Sequence, residues 1–162
     1  MKNAICFSSE TGNTKMLALA IKEALSDVEY CGEVDDKALS CDRIYLGFWT
    51  LDGTCDKKTD EFIKKLTNQE IFLFGTAGAD GRNNGYFDSI LDRVKKLLPS
   101  TCKVIGKYMC QGKMPMSIKD AYMKMKEKNP EDASIDTRIK NFENALSHPD
   151  DEDLANLVKL VK

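Results

Sequence analysis

Short apolar runs alternate along the chain with segments whose apolar residues recur at helical spacing. Residues 3–7 and 70–75 are two such runs, and both are rich in β-branched or aromatic residues. Residues 13–25 and 87–98 have apolar positions spaced for one face of a helix. Because strands and helices that alternate in this way are typical of βαβ units, the pattern predicts a parallel sheet covered by helices.

The same pattern predicts the order of elements along the whole chain. Strands are predicted at residues 3–7, 28–31, 43–48, 70–75 and 103–110, and helices at residues 13–25, 56–66 and 87–98. Three more helical patterns follow residue 115, and the last is predicted to have Pro149 at its first position with acidic residues in the first turn. We therefore expect one domain over residues 1–162, with a core of residues 1–115 and a C-terminal helical extension of residues 116–162.

Composition narrows the possible functions. The 162 residues are 42% apolar and 31% charged, an ordinary balance for a single globular domain. The net charge of -2 supplies no broad basic field, so we predict no nucleic-acid partner. The apolar runs are too short to cross a membrane or to form the core of a signal peptide, and the predicted location is cytoplasmic.

Cysteine and histidine content argues against a metal centre. The six cysteines include no C-x-x-C pair, which fits reduced cytoplasmic thiols better than a disulfide framework or a zinc site. His148 is the only histidine, so one chain cannot supply two or three imidazole ligands. We predict no metal and no histidine-dependent catalytic triad.

The segment between the first strand and the first helix has the character of an anion site. It contains hydroxyls, an amide and a glycine, in the order Ser8, Ser9, Glu10, Thr11, Gly12, Asn13 and Thr14. A helix N-terminus provides unpaired N–H groups and partial positive charge, and small side chains let a phosphate approach. The alternative is a capped helix start with no ligand, since Ser, Thr and Asn are preferred N-caps.

Within this segment, residues 9–14 match the pattern [ST]-x-T-G-x-T, and in this respect the chain resembles the flavodoxin family. The resemblance extends through the strand order to about residue 115. It implies a flavodoxin-like, doubly wound α/β fold with five parallel strands in the order 2-1-3-4-5 and extra C-terminal helices. It also implies non-covalent binding of FMN by three loops at the carboxyl ends of strands.

The resemblance places the second and third FMN loops after the third and fourth strands. The predicted cofactor-binding residues of the first loop are Ser8 to Thr14. Those of the second and third loops are Trp49, Thr50, Leu51, Gly53, Thr76, Ala77, Gly78 and Tyr86. Trp49 and Tyr86 are the candidates to stack on the flavin ring, and the Gly53 peptide could reorient when the flavin is reduced. In many flavodoxins the stacking tryptophan follows the loop threonine, whereas Trp49 precedes Thr50, so the sequence leaves open which side chain covers the ring.

Two further expectations concern the surroundings of the flavin. Four carboxylates, those of Glu10, Asp52, Asp56 and Asp80, are expected to gather near the flavin edge and to lower its potential. Five of the seven methionines lie between residues 109 and 125. Flexible methionine side chains suit either an adaptable binding surface or the filling of gaps beneath the C-terminal helices.

The resemblance implies an electron-transfer protein that delivers electrons from FMN to a partner reductase, as a monomer or weak dimer. Because the flavin carries the redox chemistry, no residue is predicted to be catalytic. Residues 110–115 and 148–150 resemble a bacterial subgroup of flavodoxin-like proteins, one type of which works beside a reductase of bilirubin. Two alternatives stay open: an FMN-dependent NAD(P)H oxidoreductase acting on a quinone or a tetrapyrrole such as bilirubin, and a flavin-free partner subunit.

Overall fold

The computed structural model describes all 162 residues and contains six strands and six α-helices. The strands are β1 (Asn3–Phe7), β2 (Val28–Glu33), β3 (Arg43–Leu51), β4 (Thr54–Cys55), β5 (Glu70–Ala77) and β6 (Lys103–Gln111). The α-helices are α1 (Asn13–Ala24), α2 (Lys57–Ile63), α3 (Tyr86–Leu97), α4 (Met116–Lys128), α5 (Ala133–Ala145) and α6 (Asp151–Val161), and a 3-10 helix spans Asp36–Ser40.

Five of the strands form a parallel sheet in the order β2-β1-β3-β5-β6. Because β4 is a two-residue strand that pairs only with β3, this order is the predicted 2-1-3-4-5, which the structure confirms. The register places Trp49 of β3 beside Thr76 of β5, and Thr76 beside Cys110 of β6. The carboxyl ends of these three strands therefore meet at one edge of the sheet.

Alternate residues of each strand enter two apolar cores, one on each face of the sheet. On one face Leu46 and Leu73 pack in a core that includes residues of α2 and α3. On the other face Tyr45 and Phe72 share a core with α1 and with Leu157 of α6. Both faces are buried because each is covered by helices, which explains the continuous apolar runs in the sequence.

The segment after the third strand differs from the prediction. The sequence predicts that β3 ends at residue 48 and that a loop spans residues 47–54, whereas β3 continues to Leu51 and turns into β4 through a hairpin. Asp52 and Gly53 form the turn with φ angles of 52° and 79°. Two consecutive residues with positive φ give the turn whose twist matches paired strands, and Asp-Gly is a favoured sequence for it.

The three predicted C-terminal helices are present, and they pack differently. α6 packs against α1, whereas α4 packs against α5 and contains no buried residue. The last helix begins at Asp151, because the Asp150 side chain caps it and Asp153 completes a capping box, so the predicted start at Pro149 is wrong by two residues. None of the helices is both long and apolar enough to cross a membrane.

Candidate functional site

A cavity of about 290 Å³ opens at the carboxyl edge of the sheet. Ten of the predicted cofactor-binding residues line it, namely Ser9, Glu10, Thr11, Asn13, Thr14, Trp49, Thr50, Thr76, Ala77 and Gly78. The remaining lining residues come from the β6–α4 loop and the start of α4, and they are Gly112, Lys113, Met114, Pro115 and Ile118. Parallel strands present their carboxyl ends at a common edge, so residues distant in sequence meet there.

The β1–α1 loop leaves the N-terminus of α1 open toward this cavity. Gly12 is the N-cap, with a left-handed φ of 89° and no side-chain cap. The Ser9 hydroxyl oxygen accepts from the N–H groups of Gly12, at 3.2 Å, and Lys15, at 3.4 Å. The N–H groups of Asn13 and Thr14 find no acceptor in the chain. Free N–H groups and the partial positive charge of the helix end together favour an anion.

The Thr14 hydroxyl has a structural role. Thr14 is fully buried, and its Oγ1 donates to the Phe48 carbonyl at 3.1 Å and lies 3.0 Å from the Thr76 hydroxyl oxygen. Thr50 Oγ1 in turn donates to the Thr76 carbonyl at 2.9 Å. These bonds tie α1 to β3 and β5. Thr14 is therefore suited to bind an anion through its N–H group and not through its hydroxyl.

Asn13 connects two of the loops that line the cavity, the β1–α1 loop and the β6–α4 loop. Its Nδ2 donates to the Lys113 carbonyl at 2.8 Å, which joins the β1–α1 loop to the β6–α4 loop. Gly112 lies so close that a Cβ on it would be 2.5 Å from Asn13 Nδ2. Asn13 Oδ1 is buried and has no hydrogen-bond partner. A buried acceptor without a partner costs free energy, and this one belongs to a residue that lines the cavity.

Trp49 is the aromatic residue of the site. It lines the cavity and also an adjoining cavity of about 310 Å³, to which Ser8 and Leu51 belong. Its backbone is held from both sides, since its N–H donates to Asp56 Oδ1 at 3.3 Å and its carbonyl accepts from the Asp56 N–H at 3.0 Å. The tryptophan is thus fixed at the end of β3 beside both cavities.

Three predicted site residues line neither cavity: Gly12, which is the N-cap of α1, and Tyr86 and Gly53. Tyr86 is the first residue of α3 and packs against the core, with its ring centroid 6.3 Å from that of Phe87. Gly53 is at the tip of the β3–β4 hairpin, where its carbonyl accepts from Arg93 Nη1 at 2.9 Å. Tyr86 and Gly53 therefore lie outside the cavity that ten of the predicted residues line.

Two amides that the sequence analysis missed hold the loop after β5. The Gly78 carbonyl accepts from Gln111 Nε2 at 2.9 Å and from Asn141 Nδ2 at 3.1 Å. Gln111 ends β6 and is buried, and Asn141 lies on α5. Gln111 could have been predicted, because it directly follows the fifth predicted strand and the carboxyl ends of parallel strands meet at one sheet edge. No local pattern in the sequence marks Asn141.

The four carboxylates expected near the flavin edge do not all line one cavity. Asp56 is buried as the N-cap of α2 and accepts from the Thr59 N–H and hydroxyl at 3.3 and 2.8 Å. Asp80 pairs with Arg82 at 3.2 Å, and the hydrogen bond from that guanidinium lowers the pKa of the carboxyl. Of the four, only Glu10 lines the cavity, where Lys113 accompanies it. Glu10 and Asp56 both line the adjoining cavity, where Lys57 and Lys58 accompany them.

The polar groups elsewhere in the C-terminal region bond to one another. His148 Nδ1 lies 2.6 Å from Asp153 Oδ2, and the Asp153 carboxylate also accepts from the Asp150 N–H at 2.9 Å. Cys110 is fully buried, and burial raises the pKa of its thiol, which keeps it neutral. These groups serve the packing of β6 and α6.

Comparison with known proteins agrees with the fold and the loop pattern. The model of the flavodoxin domain family matches residues 4–162, so the chain belongs to this family. A flavodoxin-like domain-containing protein BilS of Clostridioides difficile is 31% identical over 160 residues, covering 95% of this chain and 90% of the relative. The BilS protein of Clostridium symbiosum is 37% identical over 174 residues, covering 96% and 91%.

Solved flavodoxin structures share the fold. Oxidised flavodoxin 2 from Bacillus cereus superposes with a TM-score of 0.62 at 18% identity, covering 99% of this chain and 95% of that one. A flavoprotein of Lactobacillus acidophilus in complex with FMN gives a TM-score of 0.54 at 15% identity, covering 74% and 97%. At these identities the likeness concerns the fold.

Proposed function

We propose that this protein binds FMN and carries electrons to a partner reductase. The observation that carries the proposal is one cavity that joins the open N-terminus of α1 to Trp49. A phosphate needs the first of these features and a flat aromatic ring needs the second. The residues present fit FMN in both respects, and membership of the flavodoxin domain family supports the same cofactor.

In this proposal the residues of the cavity bind and orient the cofactor. The N–H groups of Thr11, Asn13 and Thr14 bind the phosphate, and Asn13 Oδ1 accepts from a hydroxyl of the ribityl chain. Trp49 provides apolar area for the ring, while Gln111 and Asn141 hold the β5 loop in position. Bound FMN supplies one-electron or two-electron redox chemistry.

A carrier is favoured over a stand-alone oxidoreductase because the chain belongs to the flavodoxin domain family. The only ionisable side chains that line the cavity are those of Glu10 and Lys113. The resemblance of residues 110–115 and 148–150 to the bacterial subgroup supports a reductase partner whose final acceptor is bilirubin, and the two BilS relatives are likewise flavodoxin-like domain proteins.

We also propose that the protein acts as one domain in the cytoplasm. Asn141 of α5 bonds to the Gly78 carbonyl and the Asp153 carbonyl of α6 accepts from the Tyr108 hydroxyl, and these bonds between the extension and the core support a single unit over residues 1–162. All six cysteines are free thiols, as a reducing compartment requires.

Titration with FMN tests the cofactor. Trp49 is the only tryptophan, so FMN bound beside it should quench the protein's tryptophan emission as well as the flavin's own fluorescence. We expect one FMN per chain with a sub-micromolar dissociation constant, equivalent to more than ~8 kcal/mol of binding. Riboflavin, which lacks the phosphate, should bind at least tenfold more weakly. Absence of quenching at tens of micromolar FMN would refute the proposal and favour the flavin-free subunit.

Steady-state NAD(P)H oxidation separates the carrier from the stand-alone enzyme. We expect the FMN-loaded protein alone to oxidise NAD(P)H slowly with a quinone as acceptor. Addition of a flavodoxin reductase should then increase the rate strongly. Rapid oxidation by the loaded protein alone would show that it is an oxidoreductase in its own right.

A further inference from the structure

The β6–α4 loop inserts a methionine side chain into the cavity wall. Met114 is half-buried and lines the cavity together with Trp49. It lies directly against the backbone of Gly78, since a Cβ on Gly78 would be 2.5 Å from Met114 Sδ and 2.7 Å from its Cγ. A glycine at residue 78 therefore leaves the space that Met114 occupies.

The backbone that carries Met114 is held on three sides. The Gly112 N–H donates to the Ala77 carbonyl at 2.9 Å, and the Lys113 carbonyl accepts from Asn13 at 2.8 Å. The Lys113 N–H donates to the His148 carbonyl at 3.0 Å. The loop is thus bonded to β5, to α1 and to the connection between α5 and α6, so Met114 is positioned by the fold before any ligand binds.

The order of strands places Met114 and Trp49 on different sides of β5. Trp49 is on β3, Met114 follows β6, and β5 lies between these strands in the sheet. Neighbouring strands are about 4.8 Å apart, so the ends of β3 and β6 are separated by roughly 9.6 Å. Ala77 and Gly78, at the end of β5, lie between the two side chains.

We propose that Met114 is the second apolar wall of the flavin site and packs against the ring that Trp49 also contacts. The inference rests on the proposed binding of FMN, and it assigns to Met114 the covering role that the sequence analysis gave to Tyr86. A methionine suits this role because its thioether is polarizable and packs favourably against aromatic rings. The loop between β6 and α4 is thereby a fourth binding loop, in addition to the three that the resemblance implies.

Substitution of Met114 tests the assignment. M114A should raise the dissociation constant for FMN roughly tenfold, because it removes most of the apolar area that the side chain buries. M114L should keep affinity within about threefold, since leucine has similar volume and polarity. M123A is the matched control, because Met123 is an exposed methionine of α4 that does not line the cavity. The visible absorption band of bound FMN should also shift in M114A and not in M123A.

A double-mutant cycle with Gly78 tests whether the contact between Met114 and Gly78 accounts for the effect of Met114 on FMN affinity. G78A places a methyl group where Met114 packs, so it should weaken FMN binding several-fold in the wild-type background. In M114A the same methyl group has space, and the additional loss should be under twofold. Additive losses would overturn the inference.

The outcomes separate this inference from the proposed function. If wild-type protein binds FMN and M114A binds it equally well, the inference is wrong while the proposed function stands. If wild-type protein binds no FMN, both are wrong. Thermal unfolding of each variant confirms that the measured affinities belong to folded protein.

Discussion

Two of the loops that line the same cavity differ in what their sequences reveal: the first has the composition of an anion site, whereas the second matches only the pattern of a subgroup. The β1–α1 loop, residues 8–14, is made of small polar residues around a glycine with positive φ. The β6–α4 loop, residues 112–115, has the sequence Gly-Lys-Met-Pro, which has no shared chemical character. Both loops begin where a parallel strand ends, and Asn13 joins them by a hydrogen bond.

The difference follows from what each loop contributes. The first loop exposes backbone N–H groups at a helix end, which demands small residues at fixed spacing and so leaves a pattern. The second loop contributes the apolar side chains of Met114 and Pro115, and Met114 packs against the backbone of Gly78. Backbone chemistry is therefore visible in a sequence, whereas side-chain packing between distant segments is not.

The largest effect on FMN affinity is expected from substitution of Trp49, which belongs to neither loop and lines the cavity between them. W49A should raise the FMN dissociation constant roughly 100-fold, or about 2.7 kcal/mol, because the ring loses its largest apolar contact. W49F should recover most of this loss. Flavin fluorescence is the measurement, since W49A has no tryptophan emission. A change under threefold would remove Trp49 from the site.

Substitution of Asn13 is expected to have the next largest effect on FMN affinity, because Asn13 joins the two loops by a hydrogen bond. N13A removes the bond to Lys113 and the free acceptor Oδ1, and it should weaken FMN binding by about 2 kcal/mol, roughly 30-fold.

Asn3 is a matched control for this substitution. Its Nδ2 also donates to a carbonyl, that of Asp27 at 3.0 Å, and its Oδ1 is also buried without a partner, but it lies away from the cavity. N3A should lower stability by about 1 kcal/mol and leave FMN affinity unchanged. Equal effects of N3A and N13A on affinity would show that the two loops do not depend on Asn13.

Asn141 tests whether the C-terminal helices support the site from a distance. N141A removes one of two bonds to the Gly78 carbonyl, so FMN affinity should fall about fivefold, or ~1 kcal/mol. N144A, on the exposed part of the same helix, is the control and should leave affinity unchanged. Titration and thermal unfolding of both variants give the result. Identical affinities would mean that Gln111 alone holds the loop.

The smallest effect is expected at Cys110, two residues before the β6–α4 loop. Its thiol is fully buried, burial raises its pKa, and it does not line the cavity. C110A should change the FMN dissociation constant less than twofold and lower stability by about 1 kcal/mol. A loss of affinity above fivefold would show that the thiol takes part in binding.

Much of the fold follows from local patterns. All five parallel strands and the six helices were predicted, because buried strands and amphipathic helices differ in hydrophobic period over a few residues. The order of the strands in the sheet came from the resemblance to the flavodoxin family. The hairpin at Asp52 and Gly53 was missed although Asp-Gly is a turn signal, since residues 47–54 were assigned to one loop. The positions of the carboxylates were not predicted for a related reason, since the sequence shows that Asp56 is acidic but not that it caps α2.

The site was predicted in part. The β1–α1 loop, Trp49 and the residues from Thr76 to Gly78 meet at one cavity, as expected for loops at the carboxyl ends of parallel strands. Tyr86 and Gly53 lie elsewhere, because α3 and the hairpin turn them toward other partners. The role of Tyr86 in binding stays a prediction.

The sequence by itself determined the order of elements along the chain, the parallel sheet buried on both faces and the small polar composition of the first loop. Each depends on residues that are close along the chain, so a local pattern suffices. Only the tertiary structure decided that Asn13 bonds to Lys113 and that Asn141 bonds to Gly78, pairs separated by 100 and 63 positions. Such contacts depend on how the helices dock on the sheet, which no short segment specifies.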